Sequence, residues 1–161
     1  MHRFWLVFIA ILLWSGRSCA QLTISLTFVS DPSGIALTGS GTPVASLGFG
    51  AVQAFGGTVP AGVTKSVGAS NWILSTPIDV LVQHGLLDTG STSYTLTAAL
   101  LALDLTNTWK LNSVTLSTAP STMTSLGVYS STTAYNFSLT VPFSAAAGAI
   151  INTLNITVTA N

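Results

Sequence analysis

The chain has 161 residues, enough for one domain with a real core and too few for two comfortable ones. It is 48% hydrophobic and only 5% charged, against about 25% charged in an average globular chain, which excludes the polar, highly charged class of disordered proteins. Only four residues are Lys or Arg and the formal net charge is zero, so there are too few cations for a basic patch that neutralises phosphates, and nucleic acid is excluded as a partner.

The first segment reads as a signal peptide over residues 1–20. His2 and Arg3 make a basic start, residues 4–14 are an unbroken apolar run of eleven, and Ser18-Cys19-Ala20 supplies small residues before a cut at Gln21. Eleven is well short of the roughly 20 apolar residues that a spanning helix needs. The expectation is a secreted protein, extracellular or at the cell surface, with no membrane span after cleavage. Cleavage also removes Arg3, Arg17 and the single cysteine, Cys19. Lys65 and Lys110 then face Asp31, Asp79, Asp88 and Asp104, a net of 2 − 4 = −2. Without a disulfide, the remaining domain relies on its core and on sheet pairing. Its polar surface is hydroxyls and amides, which lets copies pack side by side without repulsion.

The expected domain covers residues 21–161. Leu22, Ile24, Leu26 and Phe28 fall on one face of a strand and Thr23, Ser25 and Thr27 on the other, with a turn at Asp31-Pro32-Ser33-Gly34. A strand at a free chain end pairs either with its own sheet or with a neighbour's. Next come a short strand at residues 35–37 and a loop over 38–44. In residues 47–52 large residues alternate with Gly or Ala, a pattern of bulges or close backbone approach. Residues 71–74 begin a strand that Pro77 should interrupt or place at an edge, and Ile78, Val80 and Val82 resume the alternation. Residues 94–103 form the most apolar segment after the signal, apolar on both faces and so expected mid-fold, although its Ala and Leu content also suits a helix.

Residues 108–111 and 114–116 read as a hairpin joined through Asn112-Ser113. A Ser/Thr-rich loop is expected over 117–125. Tyr135, Phe137, Leu139 and Val141 give a clean strand, and Leu154, Ile156, Val158 and Ala160 give the last one. Recurring short strands separated by turn signals predict an all-β antiparallel sandwich.

Three features then coincide: a β-rich secreted chain, a Leu-Gly-Phe-Gly-x-Val element at residues 47–52, and a last strand ending in Thr157-Val158-Thr159. Together they resemble the secreted pilin-like families related to spore coat protein U and bacterial fimbrial subunits. The resemblance implies a single immunoglobulin-like sandwich that polymerises by donating a strand to the next subunit, with copies of itself and an assembly chaperone as partners. On that reading residues 21–30 are the donor segment, with Leu22, Ile24, Leu26 and Phe28 as its anchors. β-Augmentation takes affinity from main-chain hydrogen bonds and specificity from alternate side chains. Burying four such anchors contributes on the order of 6–12 kcal/mol gross.

Signals for chemistry are sparse. After residue 20 there is one histidine, His84, with no cysteine and no glutamate, and no nucleophile-elbow pattern occurs. No catalytic residue, metal ligand or cofactor site is assigned, and the expectation is a non-enzymatic structural subunit. The alternative is a monomeric secreted binding module for carbohydrate or another surface ligand. Tyr129, between Gly127 and a Ser/Thr run, would then be its ligand contact.

Overall fold

The computed structural model describes residues 23–27, 36–38, 44–49, 52–53, 59, 62–84, 90–146 and 149–161. Residues 1–20, where a signal was expected, and Leu22, Phe28, Asp31 and Asp88 lie outside them. The described residues contain strands and no helix: β1 (Thr23–Thr27), β2 (Ala36–Thr38), β3 (Val44–Gly48), β4 (Val52–Gln53), β5 (Thr64–Val67), β6 (Asn71–Gln83), β7 (Tyr94–Leu100), β8 (Thr108–Leu111), β9 (Val114–Thr115), β10 (Ser121–Gly127), β11 (Thr132–Pro142), β12 (Ala149–Ile150) and β13 (Leu154–Ala160).

Two antiparallel sheets form. One runs β1-β6-β11-β8-β9, with β5 also on β6, and the other runs β10-β7-β13-β3-β2; β12 and β4 make a separate pair. Alternation decides which faces meet. On β6 the positions Leu74, Thr76, Ile78, Val80 and Val82 are buried, and so are Tyr135, Phe137, Leu139 and Val141 on β11. Tyr94, Leu96, Ala98 and Leu100 of β7 and Leu154, Ile156 and Val158 of β13 complete the same core from the other sheet. Two inward faces sharing one core give the all-β, sandwich-like architecture that the periodicity predicts.

Phe49, just after β3, reaches across this core. Its ring stacks on Phe137 at 4.7 Å and lies 6.0 Å from Trp109, with Trp109 and Phe137 5.7 Å apart. The neighbouring glycine has a packing reason. A Cβ on Gly48 would stand 2.7 Å from the carbonyl oxygen of Asn152, so the backbones approach as only glycine allows.

Four elements differ from expectation. Pro77 does not end its strand; it lies in the middle of the thirteen-residue β6. Opposite it, Asn136 turns its N–H and C=O toward Asn112 of the β8–β9 turn, at 2.8 Å each. Pro77 is therefore in a non-hydrogen-bonded pair, and its nitrogen points away from β11. On that side β5 covers Trp72 to Ser75 and β1 covers Asp79 to Gln83, so the missing N–H falls in the gap between them. Second, the apolar run after Tyr94 is a strand only to Leu100; Leu101 and Leu103 lie in a loop and are 67% exposed. Third, the Ser/Thr-rich stretch expected to be a loop contains β10. Fourth, β5 had no apolar signal at all. The hairpin through Asn112-Ser113 is as expected, with Leu111 opposite Val114 and Asn112 at a φ of 54°, a left-handed conformation that asparagine tolerates.

Candidate functional site

Three places merit description: the edge that holds β1, and the two ends of the sandwich. β1 runs antiparallel to β6 from Thr23↔Gln83 to Thr27↔Asp79. Of the four expected anchors, Ile24 stands opposite Val82 and Leu26 opposite Val80, and both valines are fully buried. Leu22 and Phe28 lie outside the described residues. Among the described residues β1 pairs with β6 alone, at the edge of its sheet.

At one end, all three tyrosines of the chain meet, brought from three separate segments. Tyr94 starts β7, Tyr129 follows β10 and Tyr135 lies near the start of β11. The Tyr94 and Tyr129 rings are 5.3 Å apart. Tyr129, the ligand contact expected from sequence, is half-buried. Its hydroxyl donates to the Ser93 carbonyl at 3.0 Å and lies 2.8 Å from Ser91 Oγ, and its ring packs 3.7 Å from the imidazole of His84. His84 is exposed.

Beside this cluster is a cleft of about 240 Å³, walled by Tyr94, Tyr135, Thr124 and Thr133, with Leu126 and Val128 at its rim. Tyr129 backs the cleft and does not line it. Gly127 is fixed here by contact, because a Cβ would meet the Tyr94 ring at 2.2 Å. Burial raises the pKa of Tyr94 against a lowering hydrogen bond from Thr133, and burial raises that of Tyr135, helped by the nearby Tyr94. Both phenols are thus held neutral. Among the described residues no charged side chain lines the cleft.

Comparison with protein families, curated proteins and solved structures found no match to this chain.

At the other end is the loop after β7. Asp104 organises it: Oδ1 accepts from the amides of Thr106 (3.0 Å) and Asn107 (2.9 Å), and Oδ2 accepts from Asn107 Nδ2 (2.9 Å) and the buried indole of Trp109 (2.7 Å). Partial burial works to raise the Asp104 pKa. The bonds from Trp109, Asn107 and Thr106 outweigh it, and the carboxyl is held below its usual value. Asn152, itself buried, ties the loop to the start of β13 by accepting from Ala102 N–H and donating to Ala102 C=O. This scaffold holds Leu101, Leu103 and Leu105 in the open, Leu105 at 89% exposure.

Among the described residues no group of three or more His, Cys, Asp or Glu side chains could hold a metal ion, and no helix is long and apolar enough to cross a membrane.

Proposed function

We propose that this chain is a structural, non-enzymatic subunit of an extracellular fibre, pilus or surface matrix. On this reading it is exported by its N-terminal signal, folds as an immunoglobulin-like, pilin-like sandwich, and assembles by β-strand addition. The observation that carries the proposal is the seat of β1: an edge strand that among the described residues pairs with β6 alone, with alternate positions opposite the buried Val80 and Val82. The seat is defined by β6 and does not depend on which copy supplies the strand. Exchange between copies replaces like with like, so the gross stabilisation of about 6–12 kcal/mol from four anchors is kept in the polymer.

Deleting residues 21–30 tests this. The truncated chain should fail to polymerise and should bind a synthetic copy of the segment, and Ile24→Asp in that peptide should abolish binding. A truncated chain that ignores the peptide, or one that polymerises as before, overturns strand addition. The second reading, a monomeric secreted binding module for carbohydrate or a surface ligand, draws on the Tyr129–His84 stack. It predicts that Tyr129→Ala weakens ligand binding and leaves the oligomeric state unchanged.

A further inference from the structure

Two strands share the side of β6 that faces away from β11. β5 pairs there from Val67↔Trp72 to Thr64↔Ser75, and β1 pairs from Thr27↔Asp79 to Thr23↔Gln83. Thr76, Pro77 and Ile78 lie between the two ladders. Opposite Pro77, Asn136 of β11 gives its N–H and C=O to Asn112, so the Pro77 backbone groups face the β1 side. Backbone groups alternate in direction along a strand. Asp79, Leu81 and Gln83 therefore also turn their N–H and C=O toward β1, while Val82 C=O, on the other parity, accepts from Ser130 N–H beside β11. Pro77 is the next position in the row that holds β1, and it has no N–H to offer.

The hydrophobic pattern by itself leaves a second alignment open. Slipping a strand by one residue exchanges its two sets of alternate positions, whereas slipping it by two does not. Moved by two toward Pro77, Ile24 comes opposite Val80 and Leu26 opposite Ile78, in place of Val82 and Val80. All three partners are fully buried. β5 does not bar this slip, because its ladder ends at Ser75. What bars it is chemical: Thr27 comes opposite Pro77, and its carbonyl finds no donor there. The opposite slip carries Thr23 past Gln83, the last residue of β6, and shortens the ladder. The stretch from Asp79 to Gln83 is thus a seat closed at both ends, five residues long like β1 itself.

We infer that Pro77 is the register stop of this seat, the residue that selects one alignment for the strand laid on β6. The inference deepens the strand-addition reading and rests on it only for the claim that another copy supplies the strand. One ladder bond is forfeited in the slipped alignment and one carbonyl stays unpaired, which disfavours it by roughly tenfold. In a polymer the consequence is a fixed repeat, because each slip would displace one subunit against the next by roughly 7 Å.

Cysteine pairs read the register, since residues 21–161 contain no cysteine. Thr23→Cys with Gln83→Cys reports the observed alignment, and Thr23→Cys with Leu81→Cys reports the slip. Directly opposed positions lie within disulfide reach, and diagonal ones, about 7–8 Å apart, lie beyond it. In a glutathione redox buffer the first pair should close roughly tenfold more readily than the second. Pro77→Ala should bring the two pairs to within about twofold of each other, and so should Pro77→Val, which restores the N–H on a residue suited to strands. Equal closure in the parent chain, or an unchanged preference in either variant, overturns the register stop, as does failure of both pairs to close. Non-reducing gels separate this result from assembly. A preference that Pro77 sets, read in disulfides that link copies, supports the stop and strand addition together. The same preference confined to disulfides within single chains keeps the stop and refutes exchange between copies. A ladder of linked copies whose preference ignores Pro77 does the reverse.

Discussion

Replacing Asp104 by alanine should release the leucine loop and destabilise the domain together. The carboxylate accepts from the Trp109 indole N–H at 2.7 Å, and Trp109 is 1% exposed and packs against both Phe49 and Phe137. Leaving a buried donor unsatisfied costs about 1–3 kcal/mol. The amides of Thr106 and Asn107 lie nearer solvent and rehydrate, so they add less than about 1 kcal/mol. The expected loss is about 2–3 kcal/mol, equivalent to a fall in Tm of about 4–12 °C for a chain of this size. Urea unfolding followed by tryptophan fluorescence measures it. Asp104→Asn, which keeps one acceptor oxygen and places an NH₂ against a donor, should recover only part. The sign with pH follows from the lowered carboxyl pKa. The contribution is full above the unfolded-state value of about 3.9 and is lost as pH falls through the folded value, so the gap between parent and Asp104→Ala narrows below about pH 4. A loss under about 0.5 kcal/mol at neutral pH would refute the assignment of Asp104 as the anchor of the loop.

Three further outcomes follow from named contacts. Gly127→Ala drives a methyl group into the Tyr94 ring and should cost about 1–3 kcal/mol by overpacking; in a Tyr94→Leu background the same change should cost less, and equal costs would show that the contact does not matter. Pro77→Ala should change stability by no more than about 1 kcal/mol, through the freedom of the unfolded chain, because the restored N–H enters the gap between β5 and β1; a loss above 2 kcal/mol by thermal melting would contradict that placement. Burial raises the pKa of Tyr94 and Tyr135, so their contribution is full below the unfolded value of about 10 and declines as pH rises beyond it. Urea midpoints between pH 8 and 11 should therefore fall less steeply for Tyr135→Phe than for the parent, and parallel curves would contradict it.

The legible parts of the fold were those with one buried face. In β11 and β13 every second residue is a large apolar side chain, and the Asn112-Ser113 turn carried its own chemistry. Edge strands gave a weaker signal. β5 is mostly exposed and polar, and β10 shifts register twice along β7, so neither maintains a period of two. In sequence Ala102 continued the buried face of β7 and Leu101 and Leu103 loaded the other, but the chain is turned there by Asn152 and Asp104, residues with no apolar periodicity. The tyrosine cleft was illegible for a different reason. Its walls come from β7, β10 and β11, and only the crossing of β10 into β11 brings them together. Tyr129 was expected from the sequence as a ligand contact; it backs the cleft, and Tyr94 and Tyr135 form the cleft wall.

Size-exclusion chromatography and negative-stain electron microscopy of residues 21–161, over a wide range of concentration, test the proposed self-assembly through β1 most directly. Strand addition predicts filaments, or a ladder of SDS-resistant oligomers, that disappear when residues 21–30 are deleted and residues 31–161 remain folded. A monomer at every concentration, with no oligomer in the microscope, would contradict it.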